Sequence, residues 1–201
     1  MRTRNNLIRL IALALPLAVA ACHPPARPRG RVTLSVLGTN DLHGHLESLP
    51  IFGGFVANLR RVRAQDGGAV VLVDAGDMFQ GTLESNLNEG AAVVRAYAAL
   101  GYAAVALGNH EFDYGPAGPA VTDRDHDPRG ALRARAAEAP FPFLDANLVE
   151  TATGRPPAWT NVVPGVLREV DGVELGIVGV TTIGTARATL AANFAGLAVT
   201  P

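Results

Sequence analysis

The 201-residue chain contains no lysine, and all 17 of its basic side chains are arginines. That absence excludes a P-loop, a Schiff-base lysine and a lysine general base within the chain. Cysteine is nearly absent too. The single one, Cys22, excludes a disulfide scaffold and any multi-cysteine zinc site. Neither sign of charge dominates, with 18 acidic residues against the 17 arginines and a net charge of −1. A dedicated nucleic-acid binder needs a basic face, so no nucleic-acid partner is expected. After the first 22 residues no apolar run is long enough to cross a bilayer. What is present is apolar: 48% of residues are hydrophobic and 17% charged, too apolar a mixture for a disordered chain. The length suits about one domain burying roughly two-thirds of its unfolded surface.

Residues 1–22 read as an address. Arg2, Arg4 and Arg9 precede an apolar run from Leu10 to Ala21, too short for a membrane span but suited to a signal peptide. The tail Val19-Ala20-Ala21-Cys22 resembles a bacterial lipobox, which implies cleavage before Cys22 and lipid attachment to its thiol. An ordinary signal cleavage site with an incidental cysteine is the alternative. Removing residues 1–21 takes away three arginines and no acid, which shifts the side-chain charge from −1 to −4. Residues 22–30 are proline-rich and read as a stiff tether. Residues 31–201 are then the folded part, and His23 after the cysteine suggests an outer-membrane destination facing the periplasm.

Along that part, strands alternate with helices. Arg31–Leu37 alternates apolar and polar residues and predicts a strand. Gly53–Gln65 carries Phe55, Val56, Leu59 and Val62 at helical spacing. Ala69–Asp74 is a continuous apolar run of the kind found in a parallel strand covered on both faces. A helix from about Glu89 to Leu100, a strand at Ala103–Leu107, a helix at Arg129–Ala139 and a strand in PFPFLDAN follow. Asp171-Gly172 predicts a hairpin turn, and the strand GVELGIVGVTT comes after it. The alternation implies an α/β fold with a largely parallel sheet and a late antiparallel part.

The polar residues fall in loops after three apolar strands: Asp41 and His43, then Asp77, then Asn109, His110, Glu111 and Asp113. Ligands of open α/β sheets bind beyond the carboxyl ends of strands, so these loops are expected to converge. Asp41 and His43 stand two apart, and an extended backbone would point both to one side. The carboxylate of Asp77 has two oxygens and can bridge two cations. Asn109 adds a neutral oxygen donor. Such an oxygen and nitrogen set suits Zn, Mn, Fe or Co better than Ca. Each element alone has a plainer reading as a turn, a cap or a surface histidine; the ordered set at three strand ends is what argues for metal.

The segments TNDLHGHLE, DAGDMFQGT and GNHEFDYG resemble the signatures of the calcineurin-like metallophosphoesterases, and more narrowly of the 5′-nucleotidase/UDP-sugar hydrolase family. FPFLDANL and VELGIVGVTT resemble that family's next strands. The resemblance covers residues 31–201. It implies a four-layer α/β/β/α sandwich, incomplete in this chain, and two divalent metal ions (Zn, Mn, Co or Fe). It further implies Asp41 and His43 on the first metal, Asp77 as the bridge and Asn109 on the second. His110 matches the histidine that stabilises the transition state, and Asp113 the carboxylate that orients it. The expected partners are a nucleotide or other phosphate ester and, through Cys22, a membrane.

Other residues carry weaker expectations. His45 is a loop histidine without an assigned partner, Glu111 is expected to bind backbone, and Gln80 and Gly81 to shape the second loop. Asp123, Asp125, His126 and Asp127 read as a solvated loop rather than a metal cluster, and Trp159 as a core anchor rather than a base-stacking residue. The family also carries later histidines and a nucleoside-binding domain, whereas no histidine follows His126. The expectation is therefore an N-terminal part of a metallophosphoesterase, inactive by itself. A lipid-anchored metal- or nucleotide-binding protein and a sister hydrolase acting on cyclic nucleotides or thiosulfate esters are the alternatives.

Overall fold

The computed structural model describes residues 30–118 and 127–201. The chain runs β1 (Leu34–Thr39), α1 (Leu49–Gln65), β2 (Ala69–Asp74), α2 (Leu83–Asn86), α3 (Ala91–Leu100) and β3 (Tyr102–Ala106). It continues through α4 (Gly130–Glu138), β4 (Phe143–Leu144), β5 (Leu148–Glu150), β6 (Val162–Val163), β7 (Gly165–Val170) and β8 (Val173–Val178). α5 (Thr185–Ala188), α6 (Ala191–Phe194) and β9 (Leu197–Val199) complete it. β1, β2, β3, β4 and β6 form one parallel sheet in that order. Because β1 to β4 advance in one direction, right-handed crossovers put α1, α3 and α4 on the same face. Val56, Val93, Tyr97 and Leu132 from these helices are buried with Leu72, Val105 and Phe143 from the strands.

The antiparallel hairpin of β7 and β8 belongs to a second layer of strands. Residues at and after the end of β8, Ile177 and Val180, line a space of about 260 Å³ together with Val73, Ala104, Ala106 and Leu144 of the parallel sheet. Its turn is Asp171-Gly172, with φ of 48° and 75°, the pair of positive angles that a two-residue hairpin loop needs. β5 pairs antiparallel with β9. Among the described residues no helix is long and apolar enough to cross a membrane.

Boundaries differ from the sequence expectation where pairing or proline decides them. β1 begins at Leu34 rather than Arg31, because its ladder with β2 runs from Leu34↔Ala69 to Thr39↔Asp74. α1 begins four residues earlier than its apolar pattern, since Pro50 fits the first helical turn, where no N–H is needed. In PFPFLDAN only Phe143 and Leu144 join the sheet. Pro142 has no N–H to give to the ladder, and the Asp145 side chain accepts the N–H groups of Asn147 and Leu148 and turns the chain.

Candidate metal centre

Three loops leave the carboxyl ends of β1, β2 and β3, and the backbone sews them together. The N–H groups of Asp41, His43 and Gly44 donate to the carbonyls of Gly76, Asp77 and Met78 at 3.0–3.1 Å. This makes a short ladder between the first and second loops beyond the sheet. It also corrects the expectation of an extended Asp41–His43 segment. Asp41 and His43 have φ of 51° and 48°, in the left-handed region, because the loop turns back to reach its neighbour. Asp77 and Gln80 share that conformation, with φ of 57° and 61°. Four non-glycine residues in this region at one sheet edge concentrate backbone strain where function is expected.

The side chains converge. One ligand atom from each of His43, Asp77 and His110 lies within 4.8 Å of the other two. Asp41 Oδ1 is 3.6 Å from His43 Nε2, and the imidazoles of His43 and His110 meet edge to face with centroids 4.6 Å apart. Asp77 Oδ1 also accepts the N–H of His110 at 2.9 Å, which ties the second loop to the third. His110 Nδ1 lies 2.6 Å from Asp113 Oδ2, so the carboxylate orients the ring and leaves Nε2 outside that bond. The His43 imidazole and the Asp77 carboxylate within mutual reach, with the Asp41 carboxylate alongside, fit a borderline divalent cation, and His110 stands at the edge of that set. Asn109, at the start of the third loop, is partly exposed, and its carbonyl accepts from Thr189 Oγ1 at 3.3 Å.

Close packing leaves no room for side chains at several glycines of these loops, Gly81 and Gly108 among them. A Cβ on Gly108 would stand 2.2 Å from Asp77 Oδ1, and one on Gly81 would stand 2.4 Å from the His43 carbonyl oxygen. Beneath the loops, Glu111 is 1% exposed and collects four backbone N–H groups, from Asp77, Met78, Phe79 and Gly108. Burial pushes its carboxyl up to about 7, against these donors, which favour the carboxylate. Glu111 binds backbone, in agreement with its expected role. Asp74, also buried, accepts from Thr39 Oγ1, Tyr97 OH and the Gly76 N–H and so holds the start of the second loop.

The remaining candidates fall away from the cluster. His45 pairs with Glu47 at 2.7 Å and is mostly exposed. Asp127 pairs with Arg133 at 2.5 Å. Trp159 packs on the core before β6, as an anchor. Cys22 and the Asp123, Asp125 and His126 segment lie outside the described residues.

Sequence reasoning passed over several residues that shape the site. Tyr114 OH accepts the Gln80 N–H at 2.8 Å and meets Ser85 Oγ at 2.7 Å, which steadies the strained second loop. Asn193 Nδ2 donates to the carbonyls of Phe112 and Asp113 from 80 residues downstream. No local pattern announces such a contact. A cleft of about 600 Å³ opens beside Asp113, lined also by Gln80, Asn86, Tyr114, Arg187 and Thr189.

Residues 34–160 match the calcineurin-like phosphoesterase domain. The chain belongs to that family. Protein UshA of Salmonella pullorum is 32% identical over 189 residues, covering 89% of this chain and 31% of that protein. The 5′-nucleotidase of Diplobatis ommata is 34% identical over 161 residues, covering 74% of this chain and 26% of that one. The 5′-nucleotidase precursor of Thermus thermophilus superposes with a TM-score of 0.61 at 28% identity, covering 84% of this chain and 32% of that chain. This phosphoesterase chain thus spans about three-tenths of the length of the relatives it matches. Its mixed α/β architecture with a parallel sheet is that of its metallophosphoesterase neighbours.

Proposed function

We propose that the chain carries the metal-binding part of a dinuclear phosphoesterase that releases phosphate from nucleotides. The observation that supports this reading best is the meeting of His43, Asp77 and His110 from three successive strand ends. Asp41 and His43 would hold one cation, Asp77 would bridge and Asn109 would serve the other. Two divalent cations supply charge neutralisation at the phosphoryl oxygens and a water acidified toward neutral pH. His110 faces the phosphoryl group through Nε2 and offsets the negative charge that grows there, while Asp113 holds the tautomer through Nδ1. The cleft beside Asp113 receives the rest of the ester. Asp77 and Asn109 are the two donors assigned to the second cation in these 201 residues, so this chain alone is proposed to be inactive. The reading also places the protein outside the cytoplasm, tethered through lipid on Cys22, which rests on the lipobox-like sequence and the proline-rich tether.

Elemental analysis and AMP hydrolysis on protein expressed from the gene's full reading frame separate the roles. Asp77→Asn is expected to lose metal together with activity. His110→Ala is expected to keep its metal while its rate falls by about 10²–10⁴, the scale of one positioned acid or charge stabiliser. Loss of metal from the His110 variant and its retention in the Asp77 variant would reverse the assignment.

A further inference from the structure

Asp145 sits at the carboxyl end of β4 and is 3% exposed. Its Oδ1 accepts the N–H groups of Asn147 and Leu148 at 3.1 and 2.9 Å. Its Oδ2 lies 2.6 Å from Thr181 Oγ1, and the same hydroxyl oxygen lies 2.6 Å from the carbonyl oxygen of Leu107. Thr181 has one hydroxyl proton. If Asp145 were ionised, both neighbours would be acceptors, and one of the two short contacts would be oxygen against oxygen with no proton between them. A proton on Oδ2 removes the conflict: Asp145 donates to Thr181, and Thr181 donates to Leu107. Both contacts then have an ordinary O–H···O length.

The surroundings agree. The groups that hydrogen-bond this carboxyl are the N–H groups of Asn147 and Leu148, from the turn after β4, and the Thr181 hydroxyl, from the segment after β8; the Leu107 carbonyl, from the end of β3, reaches it only through that hydroxyl. None is charged. Burial pushes the carboxyl up from its ordinary value, outweighing the hydrogen bonds with Thr181, Asn147 and Leu148 that would favour an ionised form. Thr181 is itself locked, its N–H donating to Asn147 Oδ1 at 2.9 Å and its carbonyl accepting from Asn147 Nδ2 at 3.0 Å.

We infer that Asp145 is a neutral carboxylic acid that acts as a positioning residue, holding the Leu107 carbonyl through Thr181 and thereby the turn that presents Gly108 and Asn109. Leu107 is the last link before that turn. Gly108 packs against Asp77 with no space for a side chain, so a small shift of Leu107 moves the side of the cluster assigned to the second cation. The relay joins the ends of β3 and β4 to the strand layer above them.

Carbon-13 NMR of the Asp145 carboxyl, assigned with Asp145→Asn, tests the protonation directly. The signal is expected to stay in the acid form through the range near pH 4 where ordinary aspartates ionise. Titration together with the surface aspartates would overturn the inference. The positioning role is tested by manganese binding calorimetry on the full chain. Asp145→Asn retains a donor toward Thr181 and an acceptor for the two N–H groups, so manganese affinity is expected to hold. Asp145→Ala and Thr181→Val are expected to weaken it about tenfold, the scale of losing an outer partner of a metal site, and Thr181→Ser to restore it. An Asp145→Asn loss as large as that of Asp145→Ala would overturn the relay. The calorimetry rests on the proposed role of Asn109 and the NMR titration does not, so the two failures are distinguishable.

Discussion

The carboxylate of Glu111 accepts the backbone N–H of Asp77 at 2.9 Å, so a fully buried acid in the third loop sets the position of the proposed bridging residue in the second. The same side chain takes the N–H groups of Met78, Phe79 and Gly108. Two oxygens facing four donors need a side chain that only accepts. Glu111→Gln turns an NH₂ group toward two of those donors and leaves them unpaired. A loss of about 1–3 kcal/mol per stranded buried group is expected. Thermal melting should show it, at about 2–4 °C per kcal/mol for a chain of this size.

Gly108→Ala puts a methyl group 2.2 Å from Asp77 Oδ1 and 2.6 Å from its N–H nitrogen. Asp77 must move, and manganese affinity measured by calorimetry is expected to drop by about tenfold or more. Gly38→Ala is the matching control, since its Cβ would meet nothing within 4 Å. Equal affinity in the two variants would show that Asp77 is free to adjust.

Burial raises the Asp74 carboxyl above its ordinary value, opposed by hydrogen bonds from Thr39, Gly76 and Tyr97. A carboxyl raised in the folded state stabilises while protonated, and that contribution is lost as pH climbs through the folded value. Asp74→Asn cannot ionise. Relative to the parent, its melting temperature is expected to be lowest near pH 4 and to improve steadily toward pH 8. A difference that stays constant across this range would refute the prediction.

Growth of expressing cells with labelled fatty acid tests the address. Label is expected on the parent protein and absent from Cys22→Ser, with the variant released from the membrane fraction. Equal labelling of both would exclude lipid attachment at Cys22.

The parallel sheet and the three loops were legible because their signals are local. Ala69–Val73 and Ala103–Leu107 are apolar without interruption, Arg31–Leu37 alternates apolar and polar residues, and Asp41, His43, Asp77, Asn109 and His110 each follow one of these strand signals. A parallel α/β sheet brings the carboxyl ends of its strands to one edge. Convergence therefore follows from order along the chain, without knowledge of any contact. The hairpin at Asp171-Gly172 was legible for the same reason, since two positive φ angles select that residue pair.

The conformation of the loops was not legible. Asp41 and His43 read as extended from their spacing, yet both are left-handed, because their N–H groups find acceptors on Gly76 and Asp77 some 35 residues away. The reach of His110 into the cluster of His43 and Asp77 depends on the same loop-to-loop bonds. Tyr114, Asp145 and Thr181 lie inside segments that carry the family resemblance, but nothing in those segments names their partners, and Asn193 lies in none of them. Their partners lie 29 to 81 residues away, and only packing of the finished layers brings those atoms within hydrogen-bond range. Residue type and order along this chain determine which chemical groups arrive at the sheet edge. Long-range backbone bonds and burial determine how those groups are aimed, because a hydrogen bond a few ångströms long depends on distances that one-dimensional spacing does not contain.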